Sequence, residues 1–166
     1  MTVMAVTKDR TNHTMLLEAE FAATPERVWQ LWADPRQLER WWGPPTYPAT
    51  FEELDLRPGG RASYYMTGPD GDTPRAGWVV VDTDPPHSIV INDHFADQTG
   101  TPDPDFPTVE MRVSIDDIGG GRSRMTILSQ FPSLEALEKM LAMGMEEGLT
   151  EAVGQIDAIL AEGVPA

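Results

Sequence analysis

Residues 133–163 read SLEALEKMLAMGMEEGLTEAVGQIDAILAEG, and this stretch decides the fold. Its apolar residues recur at three- and four-residue steps, which gathers them on one face of a helix. A helix of this length would extend roughly 45 Å and would need a broad sheet to cover its apolar face. Gly144 and Gly148 interrupt the pattern among methionines, each at a cost of about 1 kcal/mol relative to alanine. The stretch therefore predicts a long C-terminal helix with space left beneath part of it.

The residues before this stretch carry the signals of strands and short helices. Segment 13–21 alternates apolar and polar residues, as a strand with one wet face does. Thr24-Pro25 and Asp34-Pro35 are typical helix starts, because each pairs a capping side chain with a proline suited to the first helical position. Six further strand-like segments follow between residues 49 and 131, separated by turns rich in glycine, proline and aspartate. We expect residues 1–12 to be flexible and residues 13–163 to form one domain.

Composition excludes several classes of function. The chain has 27 acidic and 12 basic residues and a formal net charge of -15, so a phosphate backbone would be repelled. Cysteine is absent, which excludes disulfides, thiolate metal sites and cysteine nucleophiles. No apolar run approaches the ~18 residues of a membrane span, and residues 1–12 lack the apolar core of a signal peptide. We expect a cytoplasmic protein with no nucleic-acid partner and no membrane span.

Several segments together resemble one protein family. They are ATPERVWQLWADPRQLERWWGP (23–44), LRPGGRASYYM (56–66), GWVVVDTDPPHSIVINDHF (77–95), GGGRSRMTILSQFPS (119–133) and GMEEGLTEAVGQIDAIL (144–160). With the order of elements, they resemble the SRPBCC proteins of the START-like superfamily, and specifically bacterial proteins similar to the heat-shock-protein-90 ATPase activator. The resemblance covers roughly residues 13–162. It implies an α+β helix-grip fold, in which a curved antiparallel sheet, two short helices and a long C-terminal helix enclose a cavity.

The same resemblance bears on function. It implies a hydrophobic small molecule or lipid as the ligand of the cavity. It does not imply chaperone activation, because that role belongs to larger eukaryotic proteins with a further domain that this sequence does not contain. The fold alone says little about chemistry.

Candidate cavity residues follow from alternation along the strands and from the methionine-bearing half of the helix. Only one of the adjacent residues Tyr64 and Tyr65 can point inward, and the sequence leaves open which. Methionine adapts its shape to ligands of varied outline, although a methionine-bearing face is equally typical of ordinary core. The paired tryptophans at 41 and 42 either cap a ligand or plug the end of the sheet. The predicted ligand-binding residues are Trp42, Tyr65, Trp78, Ile91, Phe95, Met111, Met140, Met143 and Gly144.

Asp93 is a weak candidate for a catalytic residue. Alternation places it on the same side as Ile91 and Phe95, and a buried aspartate there would serve as a general base. A bulge that turns Asp93 into solvent is the simpler interpretation. The three histidines, His13, His87 and His94, have no spacing typical of a metal site, so we expect neither a metal nor a cofactor.

Three functions therefore remain in view. The first is binding of a hydrophobic or amphipathic small molecule between the sheet and the C-terminal helix, without catalysis. The second is an enzyme of the cyclase or aromatase type that uses the same cavity. The third is a homodimeric interaction module, which Leu16 and Leu128 on the predicted outer face of the sheet slightly favour.

Overall fold

One antiparallel sheet carries helices on its concave side in the computed structural model, which describes residues 3–163. The strands lie in the order β1-β2-β8-β7-β6-β5-β4-β3, so β3 to β8 form the predicted meander and β2 closes onto β8. The helix-grip prediction is confirmed. The elements are β1 Val3–Asp9, β2 Thr14–Phe21, α1 Pro25–Ala33, α2 Pro35–Leu38, β3 Ala49–Leu54, β4 Arg61–Met66, β5 Arg75–Asp84, β6 Ser88–Ala96, β7 Val109–Gly119, β8 Arg122–Gln130, α3 Leu134–Ala142, α4 Met145–Val153 and α5 Ile156–Ala161.

The first strand is a correction to the sequence prediction. The sequence predicts that residues 1–12 are flexible, but Val3–Asp9 pairs antiparallel with β2. Val6 packs against the core opposite Leu17, and Lys8 forms an ion pair with Glu146 of α4, with Nζ and Oε1 2.5 Å apart. The Asp9 carboxylate accepts hydrogen bonds from the backbone N–H groups of residues 11 and 12, which closes the turn into β2. An aspartate in that position is a turn signal that the sequence already carried.

The short helices begin where the sequence predicts. The Thr24 hydroxyl accepts a hydrogen bond from the backbone N–H of Arg27, and the Asp34 carboxylate accepts one from Arg36. These helices place Trp32 in the core, and the turn after α2 places Trp41 there, with both side chains fully buried. The Trp41 indole N–H donates to the backbone carbonyl of Leu31 at 2.9 Å, so the pair fixes the two short helices to each other.

The C-terminal stretch is helical as predicted, but it consists of three consecutive segments. Ser133 caps α3 by accepting a hydrogen bond from the Ala136 N–H at 3.0 Å. The first break falls at Gly144, whose φ of +89° lies in the left-handed region where a side chain is disfavoured. The second falls at residues 154–155, before α5. Each segment buries apolar residues, among them Leu137, Val153 and Ile156. Among residues 3–163, no helix has the length and apolar character of a membrane span.

Candidate functional site

A cavity of about 200 Å³ lies where the concave face of the sheet meets the junction of α3 and α4. The sheet supplies one wall, the methionine-bearing part of the helical stretch supplies another, and the loop after α2 completes the lining. The lining residues are Trp42, Pro44, Tyr64, Met66, Pro74, Arg75, Ala76, Asp93, His94, Phe95, Met111, Met140, Met143, Gly144, Met145, Gly148 and Leu149.

The two glycines of the helical stretch border open space. A Cβ added at Gly148 would meet no heavy atom within 4 Å, and one added at Gly144 would meet only the Glu147 carboxylate at 3.9 Å. Glycines that allow a helix to approach a strand closely would instead bring such an atom into contact with the sheet. The glycines therefore border open space at the cavity wall and do not pack against the sheet.

The walls of the cavity are mainly thioether and aromatic. Met140 and Met111 are buried and form its interior surface, whereas Met143 is 50% exposed and lies where the cavity opens. Phe95 lines the cavity from β6 and contacts Phe106, with ring centroids 4.9 Å apart. Flexible thioethers beside rigid rings suit a ligand whose outline varies.

The inward tyrosine is Tyr64 and not Tyr65, which corrects the residue named from the sequence. Tyr64 is 2% exposed and lines the cavity together with Met66 on the same face of β4. Tyr65 points to the outer face, where the Arg75 guanidinium lies over its ring at 5.3 Å. The clue was already in the sequence, because Ala62 and Met66 alternate with Tyr64 and make its face the apolar one.

Two further predicted residues lie behind the cavity and not at its surface. Trp78 and Ile91 are fully buried in the core, and neither lines the cavity. Both point to the concave side as predicted, but Trp42 covers Trp78, with ring centroids 4.9 Å apart. Of the paired tryptophans, Trp41 is core and Trp42 is the cavity residue. The predicted residues that the structure brings together are Trp42, Phe95, Met111, Met140, Met143, Gly144 and Asp93.

Asp93 is half-buried and lines the cavity, and the strand pairing is regular at its position, so the bulge interpretation is wrong. The β6 register places it opposite Trp78 and Val109, both of which are buried. One carboxylate oxygen accepts a hydrogen bond from the Tyr64 hydroxyl at 3.2 Å. Burial raises the pKa of Asp93 to about 7, against the opposing effects of that hydrogen bond and of the His94 backbone N–H. The carboxyl group therefore changes charge near neutral pH.

The Tyr64 hydroxyl lies at the centre of this polar group. Burial raises the pKa of Tyr64 well above its ordinary value, and the neighbouring Asp93 carboxylate acts in the same direction. The indole N–H groups of Trp42 and Trp78 lie near the hydroxyl and oppose that shift. Within residues 3–163, the Trp78 indole nitrogen has no hydrogen-bond partner of standard geometry. Tyr64 is thus a neutral donor to Asp93 throughout the physiological range.

Two basic residues also border the cavity, although their side chains lie on the outer face of the sheet. The Arg75 guanidinium pairs with Glu52, with Nη1 and Oε1 2.5 Å apart, and it stacks on Tyr65 outside the sheet. His94 belongs to the opposite face of β6, as alternation predicts, and its imidazole lies close to Gly77. Burial lowers the pKa of His94, so the ring is neutral at pH 7.

The outer face of the sheet carries the leucines that favoured a homodimer. Leu16 and Leu128 are cross-strand partners on β2 and β8, and both are half-buried. Val79 and Val81 are more exposed, at 41% and 47%. Apolar residues make up a large part of any folded surface, so these positions do not by themselves indicate an interface.

Sequence reasoning missed several lining residues besides Tyr64. Met145 and Leu149 follow Leu141 at four-residue steps along the helical stretch, so periodicity was the available signal. Ala76 lies two residues before Trp78 on β5, so alternation was its signal. Pro44 and Pro74 lie in loops, where spacing gives no indication of what a residue faces.

Comparison with known proteins identifies the family to which the chain is similar. The family described as Activator of Hsp90 ATPase homolog 1-like protein matches residues 22–161. A solution NMR structure of an Arthrobacter aurescens protein is 48% identical, covers 99% of this chain and 94% of its own, and has a TM-score of 0.93. A crystal structure of a Mycobacterium smegmatis protein is 44% identical over 95% of this chain and 96% of its own, with a TM-score of 0.88.

A more distant structure shares the fold alone. It is DynU16, described as a putative protein in the dynemicin biosynthetic locus; at 15% identity it covers 92% of this chain and 49% of its own, with a TM-score of 0.63. No curated protein matches the chain significantly by sequence. The family match extends over most of the chain, from the end of β2 to the end of α5. The chain therefore belongs to the family of Activator of Hsp90 ATPase homolog 1-like proteins.

Proposed function

We propose that this protein binds a small hydrophobic or amphipathic molecule in the cavity between the sheet and the α3–α4 junction. The observation that carries the proposal is the cavity itself, about 200 Å³ in volume, with a lining that is mostly thioether, aromatic and aliphatic. Burial of apolar ligand surface contributes about 25 cal/mol per Å², and the Tyr64–Asp93 pair offers one polar point for orientation.

The volume limits the size of the ligand. An apolar cavity of about 150 Å³ is large enough for benzene, whereas drug-sized ligands occupy about 300–1,000 Å³. A molecule built on a single ring fits inside, and a longer chain would project past the half-exposed Met143. We therefore expect compact aromatic or branched molecules to be the best ligands.

Gly148 provides the test, because it borders the cavity and a Cβ added there meets no heavy atom within 4 Å. In Gly148→Phe the ring should occupy the cavity and lower the affinity for 2-phenylethanol at least about tenfold, as measured by calorimetric titration. Glu151→Phe adds the same ring at an exposed position of the same helix and should bind like the wild type. Unchanged affinity in a folded Gly148→Phe variant would contradict the proposed location.

An enzyme that uses the same cavity is the second candidate. The Tyr64–Asp93 hydrogen bond favours it, because a carboxyl group with a pKa of about 7 is matched to general acid–base catalysis at neutral pH. Native mass spectrometry of freshly purified wild type and Asp93→Asn separates the two functions. A catalyst would co-purify with compounds of different mass in the two proteins, whereas a binding protein would carry the same compound in both, at equal or lower occupancy in the variant.

A further inference from the structure

The carboxyl group in the cavity has no cationic partner among residues 3–163. Asp93 accepts a hydrogen bond from the Tyr64 hydroxyl, and no positive charge of the described chain shifts its pKa. Arg75 borders the cavity, but its guanidinium is already paired with Glu52 and stacked on the outward-facing Tyr65. A carboxylate removed from water is costly unless a cation or several donors accompany it. A cationic ligand would supply the charge that complements this group.

Aromatic rings surround the same space. Trp42, Tyr64 and Phe95 all line the cavity and come from three different parts of the chain. The faces of such rings attract ammonium groups, most strongly where water is excluded. The helical wall opposite contributes only uncharged lining residues, which are Met140, Met143, Gly144, Met145, Gly148 and Leu149. A positively charged ligand is therefore favoured by the aromatic rings of the cavity, by the Asp93 carboxylate and by the net charge of -15 on the chain.

We infer that the ligand of this cavity is a compact organic cation, an aromatic or aliphatic amine whose ammonium group binds the Asp93 carboxylate and whose apolar body contacts the methionine wall. This inference rests on the proposed function, since it names the chemical class of that ligand. A neutral alcohol of the same shape would keep the apolar contacts and lose the ion pair. A carboxylic acid of the same shape would place two negative charges together.

Three probes with the same phenyl ring test the inference: 2-phenylethylamine, 2-phenylethanol and phenylacetate. At pH 8 and about 0.15 M salt, calorimetric titration should give an affinity for the amine about ten times that for the alcohol, with phenylacetate weakest. In Asp93→Asn the amine should bind no better than the alcohol, so that the ratio of the two affinities falls from about ten to about one. That variant loses only one of the many negative charges, so general attraction by the protein cannot account for the difference.

The pH dependence gives an independent readout. Affinity for the amine should rise about tenfold from pH 6 to pH 8 as Asp93 ionises, while affinity for the alcohol stays constant. The other titratable groups that line the cavity are Tyr64 on β4, Arg75 on β5 and His94 on β6, and the Glu147 carboxylate lies near Gly144 on α4.

Two control variants assign this dependence to one group. Burial raises the pKa of Tyr64 well above its ordinary value, so its hydroxyl stays neutral between pH 6 and pH 8 and does not contribute to the change. His94→Gln and Glu147→Gln should therefore preserve the pH dependence, and Asp93→Asn should abolish it. A pH dependence that disappears in His94→Gln or Glu147→Gln and persists in Asp93→Asn would overturn the role of Asp93.

The outcomes separate the two proposals. Equal affinities for amine and alcohol, a preference for phenylacetate, or a retained amine preference in Asp93→Asn would overturn the cationic ligand and leave cavity binding intact. If none of the three probes binds the wild type at millimolar concentration, both proposals are overturned. Loss of binding in Gly148→Phe shows that the measured binding occurs in this cavity.

Discussion

Gly144 and Gly148 are four residues apart, yet their backbone conformations differ. Gly144 adopts a φ of +89°, which only glycine reaches without cost, whereas Gly148 lies inside α4 at an ordinary helical position. Both border open space, so added methyl groups would meet no steric obstacle at either position. The difference between them is conformational.

The expected result is a pair of opposite effects on stability. Gly148→Ala should raise the free energy of unfolding by about 0.5–1 kcal/mol, because alanine restricts the unfolded chain and fits the helix. Gly144→Ala should lower it by about 1–2 kcal/mol, because alanine is disfavoured at that positive φ. Urea denaturation followed by far-ultraviolet circular dichroism measures both. A stabilised Gly144→Ala variant would contradict the break between α3 and α4.

The pKa of Asp93 predicts a specific loss of stability with rising pH. The carboxyl group holds its proton up to about pH 7 in the folded protein, but only to about pH 4 in the unfolded chain. Between these values the unfolded state ionises and the folded state does not, so the contribution of Asp93 becomes unfavourable as pH rises. From pH 4 to pH 8 the Asp93→Asn variant should therefore gain about 3–4 kcal/mol of stability relative to the wild type.

Urea denaturation of both proteins across pH 4–8 checks this difference. Because the variant keeps every other titratable group, subtracting its curve from that of the wild type isolates Asp93. A difference that does not change with pH would show that the carboxylate is solvated in the folded protein.

At the residue scale, the sequence predicts which side of the sheet a residue points to better than it predicts whether that residue reaches the cavity surface. Alternation placed Asp93, Phe95 and Met111 on the concave side, and all three line the cavity. It also placed Trp78 and Ile91 there, but a second layer of side chains separates these two from the cavity. Whether another side chain covers a concave residue depends on how distant segments of the chain pack. The alternation of residues along a strand indicates only the side of the sheet.

At the scale of the elements, the capping signals were the most reliable. Thr24 and Asp34 each cap the helix that the sequence assigned to them. The N-terminal strand was missed, because a short segment at a chain end gains its order from tertiary pairing with β2. The only sign of the helix breaks in the C-terminal sequence is the presence of glycines. Whether a glycine interrupts the helix depends on the surface against which the helix packs.

Hydrogen exchange should detect the pairing of β1 directly. In an antiparallel edge strand, alternate N–H groups bond to the neighbour and the others face away from the sheet. Amide protection across residues 5–9 should therefore alternate, with the paired amides exchanging on the order of a hundredfold more slowly than their neighbours. Uniformly fast exchange across the segment would contradict the strand, and the unpaired amides of the same strand serve as the matched control.

At the scale of the whole molecule, charge is the dominant property. With 27 acidic and 12 basic residues, the folded chain repels itself, and its ion pairs are mostly at the surface. Added salt shortens the range of this repulsion more than it weakens the few close pairs. Sequence alone establishes this property, since it depends on composition and not on packing.

Salt should therefore stabilise the protein. The urea midpoint at pH 8 should rise as sodium chloride increases from about 10 mM to about 0.5 M, where the screening length approaches the spacing of neighbouring charges. The increase should level off above that concentration, which separates screening from a general solvent effect. A midpoint that falls over this range would mean that the surface ion pairs outweigh the repulsion.

Four of the five tryptophans form one cluster that reaches the cavity at a single point. Trp32, Trp41, Trp42 and Trp78 have neighbouring ring centroids 4.8 to 6.0 Å apart, and Trp42 is the member at the cavity surface. Rings this close exchange excitation energy within the lifetime of the excited state. Excitation of any tryptophan in the cluster can thus be quenched at Trp42. A ligand that contacts the Trp42 indole would therefore lower the fluorescence of all four tryptophans.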